Sequence, residues 1–192
     1  MSRLSRQVLP VETYLAKLTA ADWATLKDRK VLLKGKKGQY GVMVATPVDA
    51  ATAWAVLTDY GNFHRFLPTV AQSQVIETDG HRTVVEQVDR RRILLSTVES
   101  TVRTENLEID RQQISFRLLQ GNLDYMYGHW RIDPAPNHHS PQPLLLVSQQ
   151  VAAEADLGPF KGMFYSLFET SLVETMQAIR QEMERRARSQ PF

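Results

Sequence analysis

The chain contains no cysteine. Disulfides, thiolate nucleophiles and Cys-ligated zinc are therefore excluded. It also lacks any apolar run of the ~18 residues that a membrane-spanning helix needs. Its opening residues, Met-Ser-Arg-Leu-Ser-Arg-Gln, carry no apolar core of a secretory signal. These absences point to a soluble, cytoplasmic protein. Charge of one sign is scarce too. A net charge of +2 gives no overall attraction to nucleic acid. The five histidines lack the spacing of a metal-ligand set, so neither a metal nor a cofactor is expected.

What is present suits one domain with a sizeable core: 192 residues, 43% hydrophobic and 23% charged. Basic residues cluster at Lys34-Gly-Lys36-Lys37, at Arg90-Arg91-Arg92, and at Arg185-Arg186 with Arg188. Without interleaved aromatics such runs read first as solvated hairpin tips and a helix end. The second reading is contact with phosphates or an anionic membrane surface. For acid–base chemistry the chain offers Glu86, Glu99, Asp124 and His129, and spacing alone pairs none of them. Ser166 and Ser171 lie on a helical stretch without a nucleophile elbow.

Patterning divides the chain into elements. Thr19-Ala-Ala-Asp22 reads as a capping box opening a short helix to about Lys27. Val31 to Leu33 and Tyr40 to Val44 read as two strands joined by a Gly35-Lys-Lys-Gly38 turn. Thr46-Pro47-Val48-Asp49 reads as a second helix start, with Thr46 as cap and Pro47 in the first turn. That helix carries Trp54 and Leu57 and ends near Asp59. Beyond it come about six antiparallel strands. Asp79-Gly80 marks one tight turn between them. Ile114, Phe116 and Leu118 share one face of their strand. Met126, Gly128, Trp130 and Ile132 share one face of the next, with Tyr125, Tyr127, His129 and Arg131 opposite. A Pro-rich loop from Asp133 to Pro143 holds His138 and His139. After the last strand, Gly158-Pro159 opens a helix that runs ~43 Å from Phe160 to Arg188 at 1.5 Å per residue. Phe160, Met163, Phe164, Leu167, Phe168, Leu172, Met176, Ile179 and Met183 form its apolar stripe.

Between the second short helix and the strands lies Trp54 to Pro68, a helix, a break at Tyr60-Gly61 and a short aromatic segment. In it Trp54, Leu57, Asp59, Tyr60, Phe63, Phe66, Leu67 and Pro68 match a Val-Trp-x-x-Leu-x-Asp-Tyr-x-x-Phe-Pro-x-Phe-Leu-Pro pattern. Ile114, Phe116, Leu118 and Gly121, followed by Gly128-His129-Trp130, match a second. On these residues the chain resembles the helix-grip (SRPBCC) superfamily of START-like lipid-transfer domains, pollen allergens and aromatic polyketide cyclases. Within it, it looks most like the coenzyme Q-binding "cyclase/dehydrase" branch. His64 stands where that branch usually has proline, which loosens the backbone there. The resemblance covers about residues 38–185. It implies an α+β helix-grip fold, a curved antiparallel sheet around a long C-terminal helix with two short helices as a lid. The expected organisation is an extension over residues 1–37, a START-like domain over 38–188 and a tail over 189–192.

The resemblance further implies an apolar cavity for a lipophilic ligand such as an isoprenoid quinone, lipid or polyketide. Phe63, Phe66 and Leu67 either gate such a cavity or cap the core. Phe116, Met126, Trp130, Phe164 and Phe168 either line it or fill the core. These eight are the candidate ligand-binding residues, and no catalytic residue is assigned. The leading reading is binding or carriage of a lipophilic molecule. The alternatives are an aromatic cyclase or dehydratase and a membrane-surface or protein adaptor.

Overall fold

Side-chain alternation resolves into eight antiparallel strands in one curved sheet, described here from a computed structural model covering residues 17–93, 96–135 and 144–189. The elements are α1 (Ala20–Lys27), β1 (Leu32–Lys36), β2 (Gln39–Thr46), α2 (Ala50–Leu57) and a 3-10 helix η1 (Tyr60–Arg65). Then follow β3 (Val70–Asp79), β4 (Arg82–Ile93), β5 (Ser96–Ile109), β6 (Gln113–Gln120), β7 (Tyr125–Pro134) and β8 (Leu145–Glu154). A short 3-10 turn η2 (Gly158–Phe160) leads into α3 (Lys161–Ser189). The strand order is β1-β2-β8-β7-β6-β5-β4-β3. β1, from the expected N-terminal extension, is thus the edge strand of the same sheet. His138, His139 and most of the Pro-rich loop lie outside the described residues.

The expected capping box is in place on α1, where Thr19 N–H donates to Asp22 Oδ2 at 2.8 Å and Asp22 N–H to Thr19 Oγ1 at 3.2 Å. The start of α2 differs from expectation. Thr46 is not its cap, because β2 stays paired with β8 through Thr46 and Leu145. The ladder carries the chain three residues further, and Asp49 caps instead by accepting from Thr52 N–H at 2.8 Å. His64 does not interrupt η1, which winds through it to Arg65.

Curvature has a local cause. Register shifts between Val70 and Gln72, between Val75 and Glu77, and at Arg103/Thr104 insert bulges that bend the strands. The concave face of β2, β8, β7 and β6 gives Tyr40, Val42, Val44, Leu145, Val147, Val151, Ile132 and Ile114 to the main core. α2 adds Ala53, Val56 and Leu57, and α3 adds Leu172, Met176, Ile179 and Met183. At ~1.5–3 kcal/mol for each fully buried apolar side chain, those four α3 residues anchor the helix by roughly 6–12 kcal/mol. A smaller cluster of Leu26, Leu32, Met43, Ala45 and Leu146 packs α1 against the convex face.

The stripe on α3 is not buried throughout, contrary to expectation. Its second half is, but Phe160 is 62% exposed and Met163 49%. The helix packs on β1, β2 and α2. The sheet curves away from its first half, and that half borders open space.

Candidate functional site

That open space is a cavity of about 460 Å³ between the first half of α3, the lid and the concave faces of β4 to β7. The size is typical of a pocket for a small organic ligand. Period-two alternation selects its walls. β4 contributes Val85, Gln87, Asp89 and Arg91, and β5 contributes Val98, Ser100, Val102, Thr104 and Asn106. Ile114 and Phe116 come from β6, Met126 and Trp130 from β7, and Gln149 from β8. The lid adds Leu57, Tyr60, Phe63 and Leu67; α3 adds Met163, Phe164, Leu167, Phe168 and Ser171.

Of the eight candidate ligand-binding residues, Phe63, Leu67, Phe116, Met126, Trp130, Phe164 and Phe168 stand on this lining. Phe66 does not. As the residue ending η1 it leaves helical geometry, with φ at −137°. Its ring meets Phe63 edge-on at 5.7 Å and lies under the Arg186 guanidinium at 5.7 Å. It faces a smaller pocket with Asp59, Asn62, Arg65, Glu182 and Arg185.

Gly128 explains how the aromatic wall fits. A Cβ built there would sit 1.9 Å from the Gln150 carbonyl oxygen and 2.8 Å from Phe116 Cζ. Only glycine lets the Phe116 ring cross over β7, which accounts for the Gly-x-Trp pattern physically.

Two tyrosines fix the frame. Tyr40 donates to Glu169 Oε1 at 2.7 Å, tying β2 to the first half of α3. Burial, with the Glu169 hydrogen bond, pushes its phenol up to about 12. Tyr60 in the lid donates to Glu108 Oε1 at 3.2 Å, and burial followed by the Glu108 charge raises its phenol well above the usual range. The lid also closes on the helix. Arg186 donates to Asp59 Oδ2 at 2.6 Å and to Glu182 Oε1 at 2.7 Å.

One wall of the cavity is polar. Asp89 accepts from the Thr69 hydroxyl at 3.1 Å, and Arg91 donates to Ser171 Oγ on α3. Burial pushes the Asp89 carboxyl above its ordinary value, against the Thr69 hydrogen bond and the charge of Arg91. Sequence reasoning missed Asp89 and read Arg91 as part of a solvated run. Alternation along β4 was the available signal, since it separates Arg91 from Arg90. Arg90 points away and pairs with Glu99 at 2.6 Å.

The acid–base groups named from sequence stand elsewhere. Glu86 is paired with Arg103 at 2.6 Å and Glu99 with Arg90. Asp124 is exposed in the β6–β7 turn, and His129 lies on the face opposite Met126 and Trp130. None of the four lines the cavity. Burial lowers the His129 pKa, assisted by Arg131. Arg185 and Arg186 both pair with Glu182 at 2.7 Å and Arg186 also with Asp59, so two carboxylates offset two of that cluster's three arginines. Among the described residues no helix is long and apolar enough to cross a membrane.

Solved structures share this architecture. The Zhui aromatase/cyclase from Streptomyces sp. R1128 superposes with a TM-score of 0.61 at 17% identity, over 77% of this chain and 94% of that one. A START superfamily protein from Mycobacterium smegmatis gives 0.57 at 17% identity, over 77% and 97%. A STAR-related lipid transfer protein from Xanthomonas axonopodis gives 0.57 at 14% identity, over 80% and 92%. At these identities the likeness is one of fold. No curated protein sequence matches the chain. The family model described as polyketide cyclase / dehydrase and lipid transport matches residues 46–179. With well over half of its length so matched, the chain belongs to the polyketide cyclase / dehydrase and lipid transport family.

Proposed function

We propose that this protein binds a lipophilic small molecule with a polar, hydrogen-bonding end and holds or carries it without chemical change. The observation that carries this reading is the apolar cavity of about 460 Å³ whose β4 wall presents Asp89 and Arg91. The ligand's apolar body contacts Phe63, Leu67, Phe116, Met126, Trp130, Phe164 and Phe168. Its polar end meets Arg91, which is positioned by Ser171. A carbonyl suits this wall better than a carboxylate, because Asp89 stands beside the guanidinium. An isoprenoid quinone satisfies that chemistry with its ring carbonyl at Arg91. A prenyl tail longer than the cavity leaves past Val98, Leu157 and Met163, which are lining residues and also solvent-exposed.

Native mass spectrometry and solvent extraction of the purified protein test this reading. Retained lipophile in the wild type, and its loss in the cavity-filling Val102→Phe, is the expected result. A wild-type protein that retains none and binds no fluorescent lipophile would refute it.

The polar wall also favours a second reading, an aromatic cyclase or dehydratase. A buried carboxylate can take the α-proton and return it to the leaving hydroxyl, which departs as water, while a guanidinium stabilises the enolate oxygen formed between the two steps. Those roles fall to Asp89 and Arg91. Turnover of a β-hydroxy ketone to the enone with loss of water, abolished in Asp89→Asn, supports this reading over simple carriage. Unchanged substrate recovered from the cavity argues against it.

A further inference from the structure

Phe66 leaves the cavity lining for a second pocket of about 240 Å³. Asp59, Asn62 and Arg65 line it from the lid, and Glu182, Arg185 and Arg186 from the last turns of α3. That volume is below the range for an extended organic ligand and suits one small polar group. Its hydrogen bonds are unevenly spent. Asp59 Oδ1 accepts from Asn62 Nδ2 at 2.7 Å, and Oδ2 accepts from Arg186 Nη2 at 2.6 Å. Glu182 Oε1 accepts from Arg185 Nη2 and Arg186 Nε, and Oε2 accepts from Arg185 Nε, each at 2.7 Å. Every carboxylate oxygen in the wall is therefore engaged. Arg186 is engaged as well, since its Nη1 reaches the Ala55 carbonyl at 3.5 Å and its guanidinium covers Phe66. The donors left over belong to Arg65 and Arg185. Arg65 makes no hydrogen bond or ion pair among the described residues, so its five N–H groups are uncommitted. Arg185 keeps Nη1 free, on a side chain that is 61% exposed.

Charge points the same way. Three guanidinium groups face two carboxylates, which leaves an excess of one positive charge. The C-terminal end of α3 opposes this with about half a negative charge, an effect that fades within the last turn. We propose that this pocket binds a phosphate group, held between Arg65 of the lid and Arg185 of α3. A tetrahedral phosphate presents oxygens in several directions and can accept from guanidinium groups on two different elements. A planar carboxylate taken by one guanidinium fork has no oxygens left for the second. Asp59, just ahead of η1, is already tied to α3 through Arg186. Arg65 is the last residue of η1, so a phosphate on Arg65 and Arg185 ties the other end of the lid to the same helix. The bound anion therefore slows opening of the lid. The site lies outside the cavity, and its occupancy does not depend on what the cavity holds. A soluble phosphate ester and a phospholipid headgroup present the same oxygens to it.

The test uses the full chain and inorganic phosphate. Phosphorus NMR titration is expected to show millimolar binding, and hydrogen exchange is expected to slow at the amides of Tyr60 to Phe66 when phosphate is present. Arg65→Met should weaken binding about tenfold, the value of one hydrogen bond to a charged group, and remove the effect on exchange. Without phosphate it should melt with the wild type, because it breaks no ion pair. Arg185→Met should weaken binding as well, with Glu182 still held by Arg186. Lys37→Met, at the β1–β2 turn, should leave binding intact. Sedimentation with phosphatidylcholine vesicles carrying phosphatidic acid separates the two sources. Vesicle binding that free phosphate competes away and Arg65→Met loses assigns a headgroup; phosphate binding without vesicle binding assigns a soluble ester. Chloride at equal ionic strength slowing lid exchange as much as phosphate would overturn the proposal. So would an absence of phosphate binding, or an affinity that survives in both arginine variants. Phosphate binding that leaves lid exchange unchanged would overturn the tie between lid and helix.

Discussion

Adding a single methyl group at Gly128 is the sharpest perturbation of this architecture. Gly128 lies on a central strand, opposite Phe116 on β6 and Val151 on β8. An alanine Cβ would stand 1.9 Å from the Gln150 carbonyl oxygen and 2.8 Å from Phe116 Cζ. Ordinary contact is about 3.5 Å, so the methyl is roughly 1.6 Å too close to a backbone atom that cannot rotate away. β7 and β8 must part, which stretches buried ladder hydrogen bonds beyond useful length. Overpacking of this kind costs about 1–3 kcal/mol, and a weakened pair of buried backbone groups adds about 1–3 kcal/mol. The expected loss is about 3–5 kcal/mol, a large share of ordinary domain stability. For a domain of 192 residues that lowers Tm by roughly 6–20 °C. Gly162→Ala is the control. It sits near the start of α3 with nothing within 4 Å of its Cβ position, so the same methyl should leave Tm unchanged or slightly raised. Thermal melts followed by circular dichroism decide the matter. A Gly128→Ala protein melting within ~2 °C of wild type would refute the close-approach argument.

Three further outcomes are expected. Arg186→Met with Asp59→Asn, taken as a double-mutant cycle, should show a coupling of about 1–2 kcal/mol in chemical denaturation, and strict additivity would mean the lid latch is energetically silent. Asp89 has a raised folded-state pKa, so its contribution is fully present below 3.8 and is lost as pH rises through the folded value. The stability difference between Asp89→Asn and wild type, followed by Tm across pH, should therefore shift in favour of the variant as pH rises above 3.8; a flat difference contradicts burial of this carboxyl. Glu182 behaves oppositely: with its carboxyl held at about 2 by Arg185 and Arg186, its contribution is present above 4.5 and lost as pH falls toward 2. Glu182→Gln should remove that acid-side slope in the same measurement.

Much of this protein is legible in its residues one after another. Alternation along Met126 to Ile132 assigns the faces of β7 correctly, and the Thr19–Asp22 pair marks the start of α1. These are local matters, settled by which side a Cβ points to and which side chain reaches a nearby N–H. Errors arose where a distant partner outweighed the local signal. Thr46 looks like a helix cap, yet hydrogen bonds to β8 hold it in a strand. Phe66 belongs to the lid motif, yet Arg186 on a helix over a hundred residues later takes its ring. Phe160 and Met163 continue a perfect apolar stripe, yet the sheet is not beneath them.

By itself, then, the sequence determined the elements, their order, the faces that would be apolar, and a lid motif with its family resemblance. Those follow from periodicity and from residue types acting over a few positions. Only the tertiary structure decided that a cavity remains and that Asp89 and Arg91 rather than Glu86 or His129 face it. A cavity is what is left between surfaces that do not meet. Whether they meet depends on bulges, on Gly128 letting Phe116 cross, and on how far α3 stands from β4. None of those distances is written in the spacing of residues along one strand.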